Sequence, residues 1–86
     1  MKKFDNKLKG NHHGKFIADE IEKIDYSQNQ FAISLDIDRQ TLNAIINDKR
    51  KMSIKVALKI EKKLMLEEGF LLVLQTFYNI EQFKKK

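Results

Sequence analysis

The side chains with the most to offer chemically lie in one stretch: Arg39, Gln40, Thr41, Asn43, Ala44 and Asn47, followed at once by Lys49, Arg50 and Lys51. The carboxamides of Gln40 and Asn43 each set a donor beside an acceptor, the arrangement that pairs with the amine and N7 of adenine in the DNA major groove. Arg39 can bridge the two guanine acceptors or hold a phosphate, and the Thr41 methyl and Ala44 can touch a thymine methyl. Lys49, Arg50 and Lys51 supply positive charge for phosphate oxygens. No nucleophile stands with a base, and no glycine-rich phosphate loop is present. The chemistry is recognition, with no enzymatic activity and no cofactor expected.

Two other groups carry chemistry of their own. His12 and His13 could suggest a metal pair, but adjacent histidines on a helix point apart and no cysteine or carboxylate triad accompanies them. The expectation is a helix-opening segment and no metal. Asp19, Glu20, Glu22 and Asp25 form an acidic set that reads first as a solvated face and second as a surface for a basic partner.

These residues must be positioned by helices, since zero prolines and three glycines leave few breaks. A first helix over about 13–25 carries Phe16, Ile17, Ile21 and Ile24 on one stripe. A second opens at Ser27, a good N-cap, and buries Phe31, Ala32 and Leu35. Asp36 and Ile37 form a tight turn, and Asp38 caps a third helix with Leu42, Ile45 and Ile46 inward. That register leaves Arg39, Gln40, Asn43, Ala44 and Asn47 on one outward stripe, the reading face of a helix-turn-helix over 27–47. Gln28, in the first turn of the second helix, is placed to meet the DNA backbone, and Asp38 belongs to the DNA-facing set by position. Ser53 caps a fourth helix with Ile54, Ala57, Leu58 and Leu64 as its inward side, and a fifth runs over about 68–83.

The fold expected is all-α, in one domain of five helices over 1–86. A length of 86 residues is too short for the large cleft most enzymes need, whereas a hydrophobic share of 42% is enough for a core. Zero cysteines exclude a disulfide framework and a thiolate zinc site, and no segment reads as a membrane span or signal peptide. A cytoplasmic protein with no membrane partner is expected. The net charge of +5 is clustered: residues 1–15 carry +4, residues 16–48 carry −5 and residues 49–63 carry +6. Such clustering suits a polyanion, with only part of the set Lys55, Lys59, Lys62 and Lys63 reaching it. The two lysine-rich ends are expected to fray.

The fifth helix is apolar on nearly all sides, so it is expected to pack against another chain as well as its own, through Phe70, Leu71, Leu74, Phe77 and Tyr78. The simplest partner is a second copy. A twofold dimer would set two recognition helices about one DNA turn, roughly 34 Å, apart or a multiple of it.

The run Ser27-Gln28-Asn29-Gln30-Phe31-Ala32, then Asp38 through Asn47, then Lys49-Arg50, resembles the Xre-type, phage-repressor-like helix-turn-helix. His12-His13-Gly14-Lys15 is similar to the opening of HigA-like antitoxins, the plasmid-maintenance antidote proteins, and Phe70 to Gln75 with Tyr78-Asn79 is similar to their closing helix. The resemblance covers residues 12–80 in order. It implies a C-terminal dimerisation helix, repression of an operon by a dimer on a palindromic double-stranded operator, and neutralisation of a cognate mRNA-cleaving toxin. Asp36 and Asp48 stand where that family usually has glycine, and aspartate tolerates left-handed backbone better than most residues. Leu71 stands where it usually has Trp. The other readings of the same residues are a stand-alone Xre-type regulator without a toxin and a protein-interaction module.

Overall fold

The computed structural model describes residues 12–85. The lysine cluster of residues 2–9, Lys86 and the fraying expected of them lie outside those residues. Five helices follow in order: α1 His13–Lys23, α2 Gln28–Ser34, α3 Arg39–Ile46, α4 Ile54–Leu64 and α5 Phe70–Lys84, with no strand among the described residues. This is the all-α, five-helix, phage-repressor-like architecture expected from the sequence.

The starts of α2, α3 and α4 have a local cause. Ser27 and Gln30 form a reciprocal capping box, the Ser27 hydroxyl accepting from Gln30 N–H at 3.0 Å and the Gln30 carboxamide accepting from Ser27 N–H at 2.9 Å. Asp38 accepts from Gln40 N–H at 2.9 Å and Ser53 from Val56 N–H at 3.2 Å. The ends are equally uniform. After α1, α2 and α3 the chain turns through a left-handed aspartate, Asp25, Asp36 and Asp48 at φ 62, 55 and 58, and after α4 through Met65 at φ 58. At each, the residue beyond donates back to the carbonyl five positions earlier, as Ile37 N–H does to Ala32 at 3.0 Å and Lys49 N–H to Ala44 at 2.8 Å. α1 therefore stops at Lys23, short of the expected 25, because the turn at Asp25 closes it.

The core draws Ile17 and Ile21 from α1, Phe31 and Ala32 from α2, Leu42 and Ile45 from α3, Ala57 and Ile60 from α4, and Leu71 and Leu74 from α5, each at most 1% exposed. α2 packs on α3, α1 lies across α3 and α5, and α4 lies on α5. Gly14 permits the α1–α3 approach: a Cβ there would overlap the Ile46 carbonyl oxygen, far inside van der Waals contact.

Two expectations about faces fail. Ile54 and Leu58 are 66% and 39% exposed, not inward, because α4 turns Ala57, Ile60 and Glu61 to the core. Leu71 and Leu74 are wholly buried in this chain's own core and present no surface to a second copy. Of the α5 residues expected at a dimer interface, Phe70, Phe77 and Tyr78 remain half-buried, while Ile80 and Phe83 are more open at 43% and 77%. Finally, α5 starts at Phe70, not 68, and its N-terminus is capped from another helix: buried Glu61 accepts from Gly69 N–H at 2.9 Å and Leu71 N–H at 2.7 Å.

Candidate nucleic-acid interface

α3 buries Leu42, Ile45 and Ile46 and so turns Arg39, Gln40, Asn43 and Asn47 to solvent, with Thr41 and Ala44 half-buried at its edges. The tight end of α2 at Leu35 to Ile37 brings the first turn of α2 alongside the first turn of α3. Gln28 and Asn29 from α2 and Arg39, Gln40 and Asn43 from α3 line one shallow, open concavity. Asn29 was not among the residues expected from sequence; its signal was its place beside Gln28 in the same exposed first turn.

The polar groups on this face divide into free and committed ones. The Asp38 carboxylate spends an oxygen on the α3 amides, which places its charge at the positive end of that helix. Asn47 donates from Nδ2 to the Asn43 carbonyl at 2.9 Å and so also serves the end of α3. Arg50 folds back, its guanidinium donating to Thr41 Oγ1 at 3.0 Å, and sets a positive charge beside the reading stripe. Among the described residues Lys49 and Lys51 have no ion-pair partner and are exposed. Lys63 lies 5.2 Å from the ring centre of Tyr26, a cation–π contact away from the α3 stripe.

The basic connection is anchored from behind. Met52 is buried, and Gln75 on α5 accepts from its N–H at 2.8 Å and donates to its carbonyl at 3.4 Å. Asp48, which precedes the basic run, faces α1 and α5: its carboxylate lies 3.8 Å from His12 Nε2 and its charge acts on the Tyr78 phenol. Burial first, then the neighbouring Asp48 carboxylate, push the Tyr78 phenol above its usual value. His13 is 1% exposed, and burial first and His12 second hold its imidazole below the usual histidine value, with Asp48 pulling the other way. The two histidine rings do not point apart as expected. His12 is the extended N-cap of α1, not a helical residue, and the ring centres are 4.7 Å apart.

The assembled face has hydrogen-bonding carboxamides on a protruding helix, an arginine at its start and cations at its end, which is what major-groove reading requires. Among the described residues no helix is long and apolar enough to cross a membrane. Residues 17–70, more than half of the chain, match the family model described as Helix-turn-helix; the match runs from within α1 to the first residue of α5. No curated protein and no solved structure matches the chain. With α2 and α3 forming the motif at the centre of that match, the chain belongs to the Xre-type helix-turn-helix family and is a DNA-binding transcription regulator.

Proposed function

We propose that this chain is an operator-binding repressor that works as a homodimer and serves as the antitoxin of a HigBA-like toxin–antitoxin pair. The observation that carries the DNA half is the concavity shared by Gln28, Asn29, Arg39, Gln40 and Asn43 with Arg50 held at its flank. Gln40 and Asn43 read bases, Arg39 reads guanine or grips phosphate, Thr41 and Ala44 meet thymine methyls, and Gln28, Lys49, Arg50 and Lys51 hold the backbone.

Support for a dimer comes from α5, whose Ile80 and Phe83 remain open to solvent on a helix otherwise used for the core. A twofold pair matches a palindromic operator. Support for the antitoxin role comes from the two segments similar to HigA-like proteins, which lie against one another: the Tyr78 ring sits 4.6 Å from His12 and 5.5 Å from His13. The acidic residues of α1, Asp19, Glu20 and Glu22, suit a basic RNA-cleaving partner.

The test is a fluorescence titration of the promoter upstream of the chain's own gene, at two salt concentrations, against scrambled DNA. Preference for the promoter of three orders of magnitude or more, falling steeply with salt, is the expected result. Equal binding to scrambled DNA would remove the repressor reading. Co-expression with the product of an adjacent gene for a small basic ribonuclease tests the toxin half: restored growth supports it, and no such gene or no rescue leaves a stand-alone regulator.

A further inference from the structure

We propose that His12, His13 and Asp48 form a binding site for a divalent transition-metal ion of the zinc class, at the junction of α1, the end of α3 and α5. One ligand atom from each lies within 4.8 Å of the others. A tetrahedral ion with ligands near 2.1 Å holds neighbouring donors about 3.4 Å apart, so closure requires a contraction of up to about 1.4 Å. The His12 Nε2 to Asp48 pair, at 3.8 Å, is already close to that.

Independent support comes from His13. It is 1% exposed, and neither of its ring nitrogens has a hydrogen-bond partner; the Nε2 of His12 is likewise buried and unpartnered. Buried imidazoles almost always find a donor, an acceptor or a metal, and two adjacent imidazoles with unpartnered buried nitrogens beside one carboxylate mark a place made for a bound species. Two imidazoles and one carboxylate, with no thiolate, favour zinc, nickel, cobalt or copper over magnesium or calcium. The Tyr78 ring packs against both imidazoles, 4.6 Å from the His12 ring centre and 5.5 Å from that of His13, and closes that side of the cluster.

Binding has one identifiable cost. His12 Nδ1 now accepts the Lys15 N–H at 3.3 Å. Coordination through Nδ1 uses that lone pair, and coordination through Nε2 moves the ring proton onto Nδ1, so the cap is given up either way. At 3.3 Å it is a long bond and a small loss. Three protein ligands leave one position for water. Asp48 is the left-handed residue that ends α3 and directly precedes Lys49, so an ion here ties the end of the reading helix and the start of the basic connection to α1 and α5.

The test uses the full chain with no affinity tag, stripped with chelator and titrated without DNA, so its outcome is separate from that of the repressor reading. Cobalt should give visible d–d bands at one equivalent that zinc bleaches, and free zinc at about 100 times its Kd should raise the melting temperature by about 10 °C or more. His12→Ala and Asp48→Asn, both at positions not needed in the core, should each weaken cobalt binding at least 10-fold. Absence of cobalt bands with an unmoved melt in millimolar zinc would assign the unpartnered nitrogens to ordered water and overturn the site. Cobalt bands of equal affinity in both variants would overturn it too, by locating the ligands elsewhere.

Discussion

Gln75 on α5 holds both backbone polar groups of Met52, accepting its N–H at 2.8 Å and returning a donor to its carbonyl at 3.4 Å. The pair joins the last helix to the connection that carries Lys49, Arg50 and Lys51 and explains why that connection is ordered without secondary structure of its own. Gln75→Ala leaves a buried amide without a partner. It should lower stability by about 1–3 kcal/mol in urea unfolding. Operator and scrambled DNA should lose affinity together, because the phosphate-contacting run is loosened while the α3 stripe is untouched.

Base-reading and phosphate-holding residues separate by salt dependence. Gln40→Ala and Asn43→Ala remove exposed carboxamides and should each cost about 1–3 kcal/mol of discrimination between operator and scrambled DNA, with the salt slope unchanged. Lys49→Ala should weaken binding to both DNAs alike and reduce the slope of log K against log salt by about one. Titrations at several salt concentrations check both.

Gly14→Ala is the most informative single methyl in the chain. Its Cβ would overlap the Ile46 carbonyl oxygen, which is backbone and cannot swing aside, so α1 must move off α3. A loss of about 1–3 kcal/mol or more is expected in the unfolding midpoint.

Met65→Gly should have the opposite sign. Met65 is 91% exposed and sits at φ 58, so glycine gives up no packing and relieves a left-handed strain of about 1–2 kcal/mol. After the extra freedom glycine gains in the unfolded chain, a net stabilisation of about 0.5 kcal/mol should appear as a higher melting temperature.

His13 should make the metal-free protein acid-sensitive. Its folded-state value is held below the usual 6.5, so as pH falls the unfolded chain takes the proton first. The contribution is present above about pH 6.5 and is lost as pH falls from there through the folded-state value. Urea midpoints in chelator should decline across that window, and His13→Gln should lack that part of the decline.

What the sequence determined by itself is everything whose cause lies within a few residues. Ser27 with Gln30, Asp38 with Gln40 and Ser53 with Val56 start their helices by bonds spanning two or three positions. Asp36 and Asp48 could be placed at left-handed ends, and the inward set Leu42, Ile45 and Ile46 fixed which face of α3 would be exposed. The reading stripe was therefore legible residue by residue. Tertiary structure alone decided which side of an apolar helix is covered. α4 and α5 offer more than one apolar face, and only their mutual packing put Ile54 and Leu58 outside and Leu71 and Leu74 inside. Glu61 capping α5 and Gln75 gripping Met52 span 10 and 23 residues, beyond the reach of any local rule. The two histidines converge for the same reason: the extended backbone at His12 frees its ring from helical geometry, and Asp48 and Tyr78 arrive there from distant parts of the chain. Local hydrogen bonds act through chain proximity, whereas burial depends on where remote surfaces meet, and that is set by the whole fold.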